Sequence, residues 1–308
     1  MIETLVFLSK RPRVAANRCA VRAVEAAEPV PKHSVARKKA GRQIIQCRRE
    51  TCPIGFDVAG LRAQVLATYD RVARDPSGDF HFHCGPRYAA EYLRYDAAEL
   101  ALLPDACTAR FSGVGNPLRI GPIHPGETVL DHACGAGMDL LLAARRVGPG
   151  GHAIGVDVTP TMRHVATHAA AAVGLGAIVT IRAGFFEQLP VGDESVDVVI
   201  SNGVVNLAPD KSQVFAEIHR VLRPGGRLYL ADVVVQRELK YEVRNSPDLW
   251  AACIAGALPE SELAELALAS RLHEPRITER FDCFRDTTAE AKVADDLHVQ
   301  AVNFMARK

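Results

Sequence analysis

The sequence lacks several features that would define other classes of protein. None of its hydrophobic runs approaches the roughly 18 residues that a membrane-spanning helix needs, so no membrane partner is expected. Its 8 cysteines in 308 residues are too sparse for a disulfide scaffold, and its start lacks the segments of a secretory signal peptide. Hydrophobic residues make up 48% of the chain, which excludes a disordered or collagen-like protein. We therefore expect a soluble cytoplasmic protein with reduced thiols.

Charge is nearly balanced over the whole chain but uneven along it. Residues 1–50 contain 12 Lys/Arg and 4 Asp/Glu, whereas the remaining residues contain 25 and 32. An acidic body argues against nucleic acid as a partner of the fold, because phosphate contacts need a basic face. Residues 1–50 also show no sustained apolar periodicity, so we predict a basic, disordered tail. The alternative is a targeting peptide or a nucleic-acid-binding arm.

The pattern of apolar residues changes along the rest of the chain. Residues 51–120 carry apolar positions at helical spacing, in VAGLRAQVLATYDRVA and YAAEYLRYDAAELALLP, and predict a helical N-terminal cap. In residues 121–308, short Val/Ile/Leu runs alternate with Ala/Leu-rich helical stretches. This alternation is typical of an α/β fold with a doubly wound, mostly parallel sheet. We count seven strands, the last two forming an antiparallel pair, and a helical insertion near residues 236–272.

A glycine-containing loop follows the first predicted strand in VLDHACGAG, residues 129–137. Gly135 and Gly137 allow the backbone to approach a ligand, and the next helix offers free N–H groups there. The dinucleotide fingerprint does not fit, because Ala133 occupies its first glycine position. Asp131 would repel a pyrophosphate, so the ligand is expected to be cationic at this end.

Further candidate residues follow the ends of the later strands. Asp157 ends the second strand, where a carboxylate can accept both ribose hydroxyls; the alternative is a helix cap. Phe185 and Phe186 after the third strand flank an adenine ring or belong to the core, and Glu187 is placed to meet an exocyclic amine. Asn202 ends the fourth strand and faces the crevice in which α/β folds bind ligands.

These motifs form an ordered series: D-x-A-x-G-x-G, an acid after the second strand, EQLP, SVDVVISN and LRPGGRL. Over residues 110–308 the series resembles class I S-adenosylmethionine-dependent methyltransferases. The resemblance implies S-adenosylmethionine as methyl donor and a small molecule as acceptor. It places the donor's methionine end at Asp131, Gly135 and Gly137, and the ribose at Asp157. It places the adenine at Phe186 and Glu187, and the sulfonium near Asn202.

Within that superfamily, SNGVVNLAPDKSQVFAEIHRVLRPGG, LADVVV and LWAACIAGAL resemble the arsenite methyltransferase group. That group is expected to hold trivalent arsenic with three cysteine thiolates, which are soft ligands for a soft centre. The matching positions here are Val114, Gly203 and Cys253, so only Cys253 keeps a thiol and becomes the candidate acceptor-site residue. We therefore expect little or no arsenite turnover and another small-molecule acceptor.

The stretch DFHFHCGPRY provides candidate bases and metal ligands. His81 or His83 can act as a general base, because imidazole titrates near neutrality. His81, His83 and Cys84 with Cys47 and Cys52 are enough ligands for zinc, but their spacings match no familiar finger. We predict no metal site.

Two alternative functions remain at this level. The LRPGG and EQLP motifs are also similar to those of ubiquinone and menaquinone methyltransferases, which methylate carbon or oxygen. The missing thiols and the basic tail also fit a non-catalytic, cofactor-binding regulatory protein.

Overall fold

The structure is a computed structural model. It describes residues 57–237, 239, 244, 249–250, 253–287, 290 and 299–308. The predictions for the tail, residues 1–50, and for Cys47 and Cys52 lie outside the described residues, as does part of the 236–272 insertion.

In the described residues, eight strands form one sheet. They are β1 (Thr128–Asp131), β2 (His152–Asp157), β3 (Val179–Ala183), β4 (Val196–Asn202), β5 (Leu222–Val235), β6 (Leu258–Pro259), β7 (His273–Phe281) and β8 (Gln300–Arg307). The order is β3-β2-β1-β4-β5-β8-β7, and the two-residue β6 pairs with β5. The pairs among β1 to β6 are parallel, whereas β8 is antiparallel to β5 and β7. The predicted fold class is confirmed, with β6 as an additional short strand.

Helices pack on both faces of this sheet. They are α1 (Val58–Arg74), α2 (Pro86–Leu93), α3 (Ala97–Leu100), α4 (Asp105–Thr108), α5 (Met138–Val147), α6 (Pro160–Ala172), α7 (Lys211–Val221) and α8 (Glu260–Ala269). Alternate residues of β4 enter different cores: Val198 lies in one apolar cluster with Leu141 of α5, and Val199 lies in another with Phe215 of α7. Because strand side chains alternate between faces, the near-continuous apolar run of β4 is explained by burial on both sides.

A glycine-containing irregularity lies near the start of β5. The strand begins at Leu222 and includes the sequence PGG at Pro224–Gly226. The register with β4 shifts here, and Gly225 has a φ of +79°. The Gly225 N–H donates to the carbonyl of Lys308, the last residue of the chain, at 2.9 Å. The glycines therefore form a bulge stabilised by the segment that follows β8.

Helices α1 to α4 fall within the predicted cap. Arg94 adopts a φ of +60° and separates α2 from α3, so the second predicted helical stretch is interrupted. Helix α1 is held against α6 by a hydrogen bond from the Thr161 hydroxyl to Asp70 at 2.8 Å. None of the helices in the described residues has the length and hydropathy required to cross a bilayer.

Candidate active site

The sheet order brings the ends of three strands to one cleft. β1 lies between β2 and β4, so the chain reverses its winding direction next to β1, and ligands bind α/β sheets at such a point. The strands end at Asp131, Asp157 and Asn202, and all three residues line a cleft with about 920 Å³ of open space. The predicted convergence of these side chains is observed.

The glycine loop connects β1 to the N-terminus of α5. Gly135 and Gly137 have φ values of +51° and +93°, which favour glycine, and both border α5. The Gly135 N–H donates to Asp157 Oδ2 at 2.8 Å, which fastens the loop to the end of β2. A side chain at Gly137 would come within 3.1 Å of Ala166 on α6. The loop is therefore fixed by close packing on one side and a carboxylate on the other.

Three buried aspartates line the cleft. Burial raises the pKa of Asp131 well above its usual range, and the nearby charges of Asp139 and Asp157 raise it further. Burial likewise raises the pKa of Asp139, to about 6, although hydrogen bonds from Tyr95 and Asn202 oppose the shift. The pKa of Asp157 is also raised by burial, against hydrogen bonds from Thr159 and Gly135. A ligand that brings positive charge or hydroxyl donors would stabilise all three carboxylates.

Asn202 organises the cleft from within. Its Oδ1 accepts the N–H groups of Val114 and Gly115 at 2.8 and 3.2 Å. Its Nδ2 donates to Asp139 Oδ2 at 3.0 Å and to the Tyr95 hydroxyl at 3.2 Å. The Tyr95 hydroxyl in turn donates to Asp139 Oδ1 at 2.6 Å. Asn202 therefore lines the cleft while its amide joins the cap segment to β4 and α5.

The predicted adenine side of the cleft is formed by Phe186 and its neighbours. Phe186 lines the cleft, whereas Phe185 is 43% exposed and lies under the Arg62 guanidinium. Glu187 is buried; its Oε1 accepts from Arg62 at 3.1 Å, and its Oε2 has no partner among the described residues. A buried carboxylate oxygen without a donor fits a ligand amine, because leaving it unpaired is costly.

His132 supports this side of the site. Its Nε2 donates to the Phe186 carbonyl at 3.3 Å, so Nδ1 accepts from the Ser201 hydroxyl at 3.2 Å. Burial lowers the pKa of His132 to about 4, so the imidazole is neutral at pH 7. The histidine therefore fixes the Phe186 backbone and contributes no positive charge to the cleft.

The two histidines predicted as bases lie elsewhere. Neither His81 nor His83 is among the described residues that line the cleft. His83 Nε2 donates to the Arg285 carbonyl at 2.7 Å, and its ring packs against Tyr88 and Tyr92. Within the described residues, no three His, Cys, Asp or Glu side chains are grouped as a metal site would require. The role of a general base remains a prediction that this placement does not favour.

Val114, Gly203 and Cys253, the three positions that the resemblance assigned to an arsenic site, come together beside the cleft. A side chain on Gly203 would meet Val114 at 3.5 Å, and the Cys253 thiol donates to the Gly203 carbonyl at 3.4 Å. Tyr69 of α1 is hydrogen-bonded to the same thiol. Burial, and then the charge of Asp232, raises the pKa of Cys253 well above its usual range. This thiol is therefore protonated at neutral pH, and its neighbours at the other two positions are a valine and a glycine.

Some residues of the site were not predicted from sequence. Tyr69, Tyr95 and Arg110 reach it from the cap, and no local motif surrounds them. Asp139 could have been noticed as an acid in the first turn after the glycine loop. That signal is weak, because acids are common in the first turn of any helix.

Comparisons with known proteins agree with this geometry. The family described as "Methyltransferase domain" matches residues 123–281. The arsenite methyltransferase of Halobacterium salinarum is 47% identical over 174 residues, which are 56% of this chain and 44% of that protein. The human arsenite methyltransferase is 36% identical over 201 residues, 62% of this chain and 51% of that protein. The chain thus spans about half the length of these curated relatives.

Among solved structures, an arsenic (III) S-adenosylmethionine methyltransferase from Chlamydomonas reinhardtii aligns with a TM-score of 0.62 and 35% identity. The alignment covers 68% of this chain and 72% of that one. The fold, the strand-end site and these matches define a class I S-adenosylmethionine-dependent methyltransferase family, to which the chain belongs. Within that family it lies in the arsenite methyltransferase-like group.

Proposed function

We propose that this protein transfers the methyl group of S-adenosylmethionine to a small, soft or apolar acceptor other than arsenite. The observation that carries the proposal is the convergence on one cleft of the glycine loop, Asp157 and the buried aspartates, with Glu187 beside it. When bound, the donor supplies an electrophilic methyl on a sulfonium. The residues of the chain would bind, orient and desolvate the reactants.

The described residues fit the donor at three places. The Asp157 carboxylate accepts the backbone N–H groups of Gly135 at 2.8 Å and Thr159 at 2.7 Å and a hydrogen bond from the Thr159 side chain. Since a carboxylate has about four lone-pair sites, it retains acceptor capacity for a ribose hydroxyl. The unpartnered Glu187 Oε2 suits the adenine amine, although Glu187 itself is not part of the cleft lining. Asp131 suits the ammonium of the methionine end, because a cation would offset the cost of burying its charge.

The acceptor side is largely apolar. Val65, Leu66 and Tyr69 of α1 face the cleft together with Phe111 and Leu207. Burial raises the pKa of Tyr69 well above its usual range, so its hydroxyl remains neutral. Methyl transfer is an in-line displacement, and orienting the two reactants can supply about 7 kcal/mol or more of barrier reduction. A soft acceptor with a free lone pair needs no proton removed, which agrees with the lowered pKa of His132, about 4, because so weak a base with both ring nitrogens hydrogen-bonded is a poor proton acceptor.

The proposal about arsenite rests on ligand number. Three thiolates would be expected around trivalent arsenic, whereas the thiol of Cys253 is protonated and lies beside Val114 and Gly203. Cys107 and Cys134 line the cleft, but burial raises the pKa of both thiols as well. Neither a valine side chain nor a glycine has a lone pair to donate. We therefore expect weak or absent methylation of arsenite.

The test uses the full-length protein with isotopically labelled S-adenosylmethionine. We expect labelled small-molecule products when cell-extract metabolites are added, and much less product with the Asp157→Ala variant at a donor concentration below saturation. A parallel reaction with arsenite and glutathione should yield little methylated arsenic by chromatography. No labelled product from any extract would contradict the proposed activity. Robust methylarsenite formation that disappears in Cys253→Ser would instead overturn the proposed acceptor.

A further inference from the structure

Acidic side chains outnumber basic ones among the residues that line the cleft. Asp131, Asp139 and Asp157 supply three carboxylates, while His132 is neutral at pH 7 because burial lowers its pKa to about 4. Arg110 is the one described lining residue with a permanent positive charge. A zwitterionic ligand therefore meets several anionic groups and a single guanidinium.

The Arg110 guanidinium is held in place by neutral partners. Its Nε donates to the Ala73 carbonyl near the end of α1 at 2.6 Å, and its Nη1 donates to the Ala106 carbonyl at 2.8 Å. No carboxylate of the described residues forms an ion pair with Arg110, and its Nη2 has no hydrogen-bond partner among them. The positive charge is thus oriented but not neutralised.

The packing places Arg110 close to the glycine loop. Ala73, whose carbonyl accepts from Arg110, lies in the same apolar cluster as Ala136 of the loop. Ala136 precedes Gly137, the N-cap of α5, so Arg110 and the start of that helix lie on the same side of the cleft. A helix N-terminus and a guanidinium together favour an anion.

We propose that Arg110 binds the carboxylate of the methionine end of the methyl donor, with Asp131 on the ammonium of that same end. This assignment rests on the proposed function and specifies how the site recognises the amino-acid part of its donor. A purely structural role, joining α1 to α4 through the two backbone carbonyls, is the competing explanation.

The two explanations predict different effects of the ligand's carboxylate on its binding affinity. Calorimetry on the full-length protein would compare S-adenosylhomocysteine with its decarboxylated analogue, which keeps the nucleoside, the sulfur and the ammonium. We expect the wild type to prefer the carboxylated ligand, and Arg110→Gln to weaken its binding by about tenfold to a hundredfold, as for one charge-assisted contact. Binding of the decarboxylated ligand should change little.

Arg146→Gln is the matched control. Arg146 is also half-buried and donates to a backbone carbonyl, that of Leu118, at 2.7 Å; unlike Arg110 it also pairs with a carboxylate, Glu99, at 3.4 Å, and it is not among the lining residues. The Arg146→Gln variant should leave the ratio of the affinities for the carboxylated and decarboxylated ligands unchanged. Arg110→Lys, which keeps the charge, should retain part of the preference and provides a second variant if Arg110→Gln does not fold.

Each outcome separates the hypotheses. Equal losses for both ligands in Arg110→Gln would assign Arg110 a structural role and overturn the inference, as would unchanged binding of both. A wild-type protein without preference for the carboxylated ligand would overturn it without any variant. If the wild type binds neither ligand, the proposed function itself fails, and this inference fails with it.

Discussion

Replacing Asp157 with alanine tests the donor site most directly. The carboxylate is buried at the end of β2, and its two oxygens accept N–H groups of Gly135 and Thr159 at 2.8 and 2.7 Å. If the same oxygens also accept the ribose hydroxyls, the variant loses a hydrogen bond to a charged group, worth about 1.5–3 kcal/mol. The dissociation constant for S-adenosylhomocysteine should therefore rise by roughly tenfold to a hundredfold.

The same substitution also affects the glycine loop. It leaves two backbone N–H groups without their acceptor, which destabilises the fold, but it also removes a carboxylate whose pKa is raised by burial. Thermal unfolding should be measured beside calorimetry, so that lost affinity is not confused with lost structure.

Asp197→Ala is the matched control for this experiment. Asp197 accepts the Thr128 N–H at 2.8 Å and pairs with Arg223 at 2.7 Å, at the opposite end of β4 from Asn202. This variant should lose stability and keep its affinity. Unchanged affinity in Asp157→Ala would refute the assignment of the ribose to this carboxylate.

Three further results are expected. Burial lowers the pKa of His132 to about 4, so between pH 6.5 and pH 4 this histidine is protonated in the unfolded chain but stays neutral in the folded chain. The free energy of unfolding is thus unaffected by this group above pH 6.5 and falls by up to about 3 kcal/mol towards pH 4. Urea unfolding at a series of pH values should show a shallower decline for His132→Gln than for the wild type. Parallel declines in the two proteins would contradict this. Removing residues 1–50 should leave the melting temperature within about 5 °C, since 1 kcal/mol shifts the melting temperature of a chain of roughly 150–250 residues by about 2–4 °C; a larger drop in calorimetry would show that the tail packs. The Val114→Cys/Gly203→Cys double variant should retain more arsenite in equilibrium dialysis than the wild type, and adding Cys253→Ser should reverse the gain; no gain would show that these positions do not form a thiol site.

The sequence by itself determined the sheet and the part of the site that lies on it. Alternating strand and helix patterns fixed a doubly wound sheet, and in such a sheet the carboxyl ends of neighbouring parallel strands share one edge. Asp131, Asp157 and Asn202 were therefore predictable as neighbours, because their positions depend on local chain direction. The glycine loop was equally local, since Gly135 and Gly137 adopt the positive φ values that their residue type favours.

Only the tertiary structure decided which side chains join this edge from the cap and what each polar group bonds. Asn202 bonds Val114, 88 residues away, and Arg62 reaches Glu187 across 125 residues. No periodicity encodes such pairs, because they depend on how α1 and the segment after α4 pack over the sheet. The same packing places His83 against Tyr88 and Tyr92. It also brings Arg110 to the cleft as the permanent positive charge among the described lining residues, with its guanidinium hydrogen-bonded to two backbone carbonyls.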